Sequence, residues 1–285
     1  MLADLARAIE EERGSTVLIL ACSNLELDLI GDLYEVLRGQ GHRERLDLVF
    51  WCRGGEVVAA RRLALLLHRF ADDLTFVVPY HCQSAGTLAT LCAHRIVAGP
   101  AAMFSPIDPL LAAGGEGGGG AVSSQDVRLF GAMAQAWFGV DEAEAKAQAL
   151  AALGGAIFPT TLTSFYRSTL EMEEIAKELL ALRSRTLPQA QWSEIVQRLV
   201  FGYHSHGFSL TGEDLAALGL PIEPAPRVED LAWAIAQILR KSVGGGVRAS
   251  VDAPWFDVLI GTRDGARRRR RHPEGLEPIW ERFDG

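Results

Sequence analysis

The feature that most constrains the fold is a regular alternation of apolar runs and amphipathic stretches between residues 16 and 97. The apolar runs at 16–22, 45–51 and 74–79 are typical of buried strands, and each is followed by a helical pattern. Glycines stop the helix that follows the first strand. Strands that alternate with helices in this way predict a parallel sheet with right-handed crossovers. The fold class is therefore predicted to be α/β.

The residues that follow these strands are the candidates for chemistry, because catalytic groups in parallel sheets lie at the carboxyl ends of strands. Gly54 and Gly55 follow the second strand, where glycine lets backbone N–H groups face outward. Ser84 lies between the third strand and a buried helix predicted over 85–93. The N-terminus of a helix carries unpaired N–H groups and a partial positive charge, which favour an alkoxide and an oxyanion. We therefore predict Ser84 as a nucleophile and Gly54, Gly55 and Ala85 as an oxyanion hole.

Serine before a helix is also a preferred N-cap residue, so a purely structural role for Ser84 is the alternative. An α/β-hydrolase elbow is excluded by its own motif, because the residue two positions before Ser84 is Cys82 where that motif has glycine.

The order of these motifs resembles a known superfamily. That order is strand, Gly-Gly, helix, strand, Ser-Ala-Gly-Thr at 84–87 and Pro-Ile-Asp-Pro at 106–109. In the order of its elements and motifs, the chain is similar to the Clp-protease/crotonase superfamily. Within it, the chain resembles the serine dehydrogenase proteinase type, related to signal peptide peptidase A, over about residues 16–220. The resemblance implies stacked βαβ units with a helical C-terminal part, serine peptidase activity on peptides, and a homo-oligomer. No cofactor and no metal site are predicted.

The base that would activate the serine is harder to assign. The Clp-protease pattern places a histidine around residues 103–108, and none is present there. Signal peptide peptidases use a Ser-Lys dyad instead, and the lysines are Lys146, Lys177 and Lys241. Lys146 is best placed by its order in the chain, although Glu142 four residues earlier could equally hold it as a surface ion pair.

His206, or His204, is the alternative base, since imidazole titrates near neutral pH without burial. The resemblance lays residues 210–220 on a segment that follows the triad acid and puts Gly207 at the position of that acid. A histidine without an orienting carboxylate is poorly held in its tautomer. The sequence therefore favours Lys146 over His206.

Two classes of function stand: a serine peptidase, and a catalytically inactive or scaffold member of the same fold. A crotonase-type acyl-CoA enzyme is a weaker option, since it needs an acidic pair near the oxyanion hole. The net charge of -8 argues against nucleic-acid binding by the molecule as a whole.

The expected compartment is the cytoplasm. Cys22, Cys52, Cys82 and Cys92 lie in or beside apolar runs and are typical of free thiols in a reducing environment. The first residues lack the form of a signal peptide, and no apolar run approaches the roughly 18 residues of a membrane span.

One Clp-protease/crotonase-like domain is predicted over 1–243, followed by a glycine linker and an arginine-rich tail over 244–285. The run Arg267 to Arg271 is expected to be solvated and mobile, with an acidic partner as a possibility. The run Gly114 to Gly120 is expected to be a surface insertion, with a mobile lid as the alternative.

Overall fold

A computed structural model of the chain describes residues 1–112, 121–183, 189–244, 255–271 and 278–285. The helices in these ranges are α1 (Leu2–Arg13), α2 (Leu29–Gln40), α3 (Val57–Phe70), α4 (Ala85–Thr90), α5 (Ser124–Phe138), α6 (Glu142–Ala156), α7 (Pro159–Arg183), α8 (Gln189–Phe201), α9 (Gly212–Ala217) and α10 (Pro226–Ser242). The strands are β1 (Thr16–Cys22), β2 (Arg43–Cys52), β3 (Ala71–Val78), β4 (His81–Cys82), β5 (Arg95–Ala98), β6 (Met103–Phe104), β7 (Leu110–Ala112), β8 (Ala121–Ser123), β9 (Phe256–Thr262), β10 (Gly265–Arg270) and β11 (Ile279–Phe283).

The central sheet has the order β11-β10-β9-β1-β2-β3-β5, and β4 and β6 continue it beside β2. Strands β1, β2, β3 and β5 pair in parallel, whereas β9 is antiparallel to β1 and begins an antiparallel edge. The protein is thus a mixed α/β fold with a largely parallel central sheet, and the predicted fold class is confirmed.

The sheet is buried on both faces at its centre, where every residue of β1 after Thr16 and of β2 after Arg45 is buried and only Asp47 among them is charged. One face of β1 and β2 packs against α1 and α10 in a single cluster that includes Val17, Trp51, Ile235 and Leu239. This packing fixes the strand ends from which the candidate site is built. The four cysteines are buried free thiols, as predicted.

The described residues divide into two compact units. Unit 1 lies within 1–105, 178–188 and 209–285 and contains the central sheet. Unit 2 lies within 106–177 and 189–208 and is mainly helical. This grouping differs from the predicted boundary after residue 243. The glycine run 114–120 lies outside the described residues.

The prediction of a mobile arginine-rich tail is wrong. Arg267 to Arg270 belong to β10, which pairs with β9 and β11 at the edge of the sheet. The charges are accommodated because carboxylates of the same chain surround them. Arg269 is only 4% exposed and lies 2.7 Å from Asp257, 2.7 Å from Asp28 and 3.0 Å from Glu26. Burial alone would lower the pKa of Arg269, but these carboxylates raise it above its ordinary value.

Arg269→Ala is expected to lower the free energy of unfolding by about 3–5 kcal/mol, because it removes the nearest cation of the buried Asp257 carboxylate and leaves only Arg271, at 3.4 Å. Arg270→Ala is the matched control on the same strand. The Arg270 side chain is 39% exposed and pairs with Glu281, so its loss should cost about 0–1 kcal/mol. Urea unfolding of both variants measures the difference, and equal losses would show that Arg269 is not the buried anchor of this edge.

Within the described residues, no single helix is both long and apolar enough to cross a bilayer. Only α6 and α7 taken together pass on length and composition, and they meet at a bend of 114°.

Candidate active site

Ser84 occupies a sharp turn between β4 and α4. Its backbone has φ 51° and ψ −114°, and it is the only non-glycine residue with positive φ in the part of the chain that the structure describes. Such a conformation costs on the order of 1–3 kcal/mol and persists only where the surroundings impose it. Helix α4 ends at Thr90, three residues earlier than predicted.

Two buried side chains hold this turn in place. The backbone N–H of Ser84 donates to Ser105 Oγ at 2.7 Å, and the N–H of Ser105 donates to Thr87 Oγ1 at 3.0 Å. The hydroxyl of Thr87 in turn donates to the carbonyl of Cys82 at 2.7 Å. These bonds connect the strand, the turn and the helix, so they fix the position of Ser84. No role was predicted for either residue from the sequence, although Thr87 ends the Ser-Ala-Gly-Thr motif and Ser105 directly precedes the Pro-Ile-Asp-Pro motif.

The alternative of a simple N-cap finds no support in the hydrogen bonding. The Ser84 side chain makes no capping hydrogen bond to α4. Ordinary caps have extended backbone angles, whereas Ser84 has a positive φ. The hydroxyl of Ser84 is therefore not consumed by the helix that follows it.

The loop after β2 is built from two glycines that no other residue could replace without strain. Gly54 and Gly55 have φ values of 134° and 143°. A Cβ atom at Gly55 would lie 2.3 Å from the carbonyl oxygen of Leu25, which is far inside van der Waals contact. The N–H of Leu25 donates to the Gly54 carbonyl at 2.8 Å, and the N–H of Glu56 donates to the Leu25 carbonyl at 2.9 Å. The loop is thus pinned to the segment that follows β1.

The structure brings this glycine loop next to Ser84. A Cβ atom at Gly54 would lie 3.5 Å from the Cβ of Ser84. Within the described ranges, the backbone N–H groups of Gly55 and Ala85 donate to no acceptor. Free N–H groups beside a serine hydroxyl have the chemistry of an oxyanion hole.

Lys146 lies in unit 2, on the exposed surface of α6. Its side chain is 73% exposed, and Nζ lies 2.6 Å from Glu142 Oε1. This is the surface ion pair that the sequence offered as the alternative. Lys177 is also paired at the same spacing, with Nζ 3.6 Å from Glu173. A charged ammonium in water cannot accept a proton from serine, so Lys146 in this environment lacks the desolvation that a lysine base needs.

His206, also in unit 2, lies beside a carboxylate. The family resemblance puts a glycine, Gly207, at the position of the triad acid. Nδ1 of His206 lies 2.9 Å from Oδ1 of Asp108, and Asp108 is 4% exposed. The hydroxyl of Ser123 donates to the other oxygen of Asp108. The sequence offered no carboxylate partner for His206, and the structure places one beside it from a residue 98 positions earlier in the chain. His204 is exposed.

Comparison with known proteins finds the same type of family that the sequence motifs indicated. Residues 3–115 match the model of a family described as ClpP-like SDH-type serine proteinase. The predicted family resemblance is confirmed over these residues. The matched segment contains Gly54, Gly55 and Ser84, and it ends before Lys146 and His206.

One curated relative is the Uncharacterized protein MJ0137 of Methanocaldococcus jannaschii, which is 26% identical over 118 residues. That match covers 37% of this chain and 41% of the relative, so the chain spans less than half of that protein's length. Similar solved structures include two variants of the 1510-N membrane-bound stomatin-specific protease. A lysine-to-alanine variant in complex with a substrate peptide has a TM-score of 0.44 and 13% identity, covering 93% of this chain and 86% of that one. A serine-to-alanine variant has a TM-score of 0.43 and 14% identity, covering 81% and 86%.

Proposed function

We propose that the chain is a serine peptidase in which Ser84 is the nucleophile. The observation that carries this proposal is the strained Ser84 turn. The Ser84 hydroxyl makes no capping bond to α4, and the Ser84 Cβ lies beside the backbone of Gly54. Strained backbone that is imposed by neighbouring side chains is a frequent property of catalytic residues. The family of serine proteinases matched by residues 3–115 supports the same assignment.

The reaction follows from these groups. Ser84 Oγ attacks the carbonyl carbon of the peptide bond while a base takes the hydroxyl proton. The negative charge that develops on the carbonyl oxygen is stabilised by the backbone N–H groups of Gly55 and Ala85, with Gly54 keeping the loop free of side chains. The protonated base then gives its proton to the departing amine, and water hydrolyses the acyl-enzyme in the reverse sense.

For the base, we propose His206 ahead of Lys146, which reverses the order that the sequence favoured. The buried Asp108 carboxylate supports His206, because it would fix the tautomer with Nε2 able to accept a proton. The exposed ion pair with Glu142 argues against Lys146. The proposed setting is the cytoplasm, in line with the four free thiols.

The experiment that tests the proposal combines labelling and turnover. A fluorophosphonate probe reacts with activated serines, so it should modify the wild-type chain at Ser84. A mixture of unstructured peptides, analysed by mass spectrometry, should show cleavage by the same preparation. Failure of both would favour the second candidate, an inactive scaffold with the same fold.

We further propose that the chain self-associates through unit 2. Large apolar side chains are strongly exposed on or beside α5, α6 and α7: Trp137, Phe138, Leu150, Phe158 and Tyr166, at 78%, 71%, 71%, 73% and 65%. Monomeric proteins rarely leave so much apolar surface in contact with water.

Sedimentation at micromolar concentration is expected to give a multiple of the 30.9 kDa chain mass. Phe158→Ser combined with Tyr166→Ser should shift the distribution toward the monomer. Tyr34→Ser in unit 1, where the side chain is 43% exposed, is the matched control and should leave the mass unchanged. A monomeric wild-type chain would contradict the proposal.

A further inference from the structure

A cavity of about 360 Å³ opens in unit 1 at the carboxyl ends of β3 and β5. Its volume lies within the range of about 300–1,000 Å³ that is typical of ligand sites. Pro79 and Pro100 contribute from the strand ends, and Pro226 and Trp233 contribute from α10. Ser84 follows Pro79 by five residues, so the cavity and the candidate nucleophile lie at the same edge of the sheet.

Two carboxylates give this apolar cavity a negative charge. Glu229 and Asp230 line it, and no arginine, lysine or histidine does. One oxygen of Glu229 accepts the N–H of Ala225 at 2.9 Å, which leaves the other oxygen available. In the described part of the chain, Asp230 has no ion-pair or hydrogen-bond partner. Spacings of three and four residues place both carboxylates on the same helical face as Trp233.

Trp233 supplies an aromatic surface beside these charges. It is 38% exposed, and its ring meets the ring of Tyr80 edge to face with a centroid distance of 5.9 Å. The ring of Tyr80 lies 4.2 Å from that of His81, the first residue of β4. A series of aromatic rings therefore runs from the cavity toward the strand that ends two residues before Ser84.

An arginine side chain fits the three properties of the cavity, which are its apolar walls, its two carboxylates and its aromatic ring. Its planar guanidinium stacks on indole rings and forms paired hydrogen bonds with carboxylates. Its aliphatic stem packs on apolar surface, which the prolines provide. We propose that this cavity binds an arginine side chain of the peptide substrate. The proposal rests on the proposed peptidase function, because only a peptidase would have this peptide as its substrate. Binding of the arginine side chain can be measured separately from cleavage.

The test uses the full-length Ser84→Ala chain, so that no peptide is cleaved during the measurement. The probe is an acetylated and amidated peptide of alanines around one central arginine, and the matched ligand has citrulline in place of arginine. Citrulline has the same shape without the charge. Titration calorimetry should give a Kd for the citrulline peptide at least about tenfold weaker.

Substitutions of residues that line the cavity test whether the arginine peptide binds there. Trp233→Leu and Asp230→Asn, each added to Ser84→Ala, should weaken binding of the arginine peptide by about tenfold. Asp72→Asn is the control, since Asp72 is an exposed acid elsewhere in unit 1. It should leave the Kd unchanged.

Equal Kd values for the two peptides, or an unchanged Kd in Trp233→Leu, would overturn the proposal. It would also be overturned if neither peptide binds. If Asp230→Asn then lowers the sedimenting mass, the occupant of the cavity is a second copy of the chain. Arginine-selective binding by Ser84→Ala, together with a wild-type chain that cleaves no peptide, would support the cavity and reject the peptidase function.

Discussion

Ser84→Ala is expected to abolish peptide hydrolysis and fluorophosphonate labelling while the fold is retained. Loss of a serine nucleophile lowers turnover by a factor on the order of 10³ to 10⁶. Stability should change by less than about 1 kcal/mol, because the Ser84 side chain makes no capping bond whose loss would be felt. The bond that holds the turn runs from the backbone N–H of Ser84 to Ser105, and alanine keeps that N–H.

The matched control is Ser242→Ala, which removes a hydroxyl that only bonds to the Ile238 carbonyl at the end of α10. Hydrolysis and the melting temperature are measured on both variants. A Ser84→Ala chain that melts several degrees lower yet turns over at the wild-type rate would show that Ser84 is a structural residue.

The elements that lead to Ser84 could be predicted from sequence because their signals are local. Strands β1, β2 and β3 were predicted within a few residues of their bounds, since apolar runs and the glycines between them determine both the strands and the turns. The capping box of Thr211 and Asp214 at the start of α9 is a local signal of the same kind. Each of these depends on residues close together in the chain.

The arginine strand β10 could not be predicted from sequence in this way. Its arginines lie beside carboxylates and aromatic rings from other parts of the chain, which a single sequence does not reveal. Arg267 and Arg269 pair with carboxylates such as Asp32 and Asp257, while Arg268 lies 3.6 Å over the ring of Phe256. Every strand residue from 267 to 270 therefore has a compensating group supplied from elsewhere in the fold. Without those groups in view, five arginines are typical of a solvated segment.

The strain at Ser84 and the Asp108–His206 pair were likewise not predictable. Backbone angles at a turn depend on Ser105 and Thr87, which bond across the turn from other positions. A carboxylate and an imidazole that are 98 residues apart come together only through the folding of unit 2. Asp108 did lie in the Pro-Ile-Asp-Pro motif, but that motif contributed only to the family resemblance, and the carboxylate was assigned no role.

His206→Ala is expected to lower turnover by about 10² to 10⁴, the usual contribution of a general base. Lys146→Ala is expected to change it less than about twofold, because the Lys146 side chain is 73% exposed and paired with Glu142. His204→Ala serves as the matched histidine control, since that side chain is exposed and lies two residues away. Initial rates on one cleaved peptide, with circular dichroism to confirm folding, give the comparison.

Asp108→Asn tests whether Asp108 orients the His206 imidazole for catalysis or only packs against it. An asparagine of the same size can still contact His206, but it stabilises neither the correct tautomer nor the imidazolium that forms when serine is deprotonated. Turnover should therefore fall strongly in Asp108→Asn while KM changes little, because the substrate contacts are untouched. Full activity in His206→Ala with none in Lys146→Ala would instead establish a Ser-Lys dyad. That dyad would require Lys146 to leave Glu142 and become desolvated in the active assembly, since only an uncharged amine accepts the serine proton.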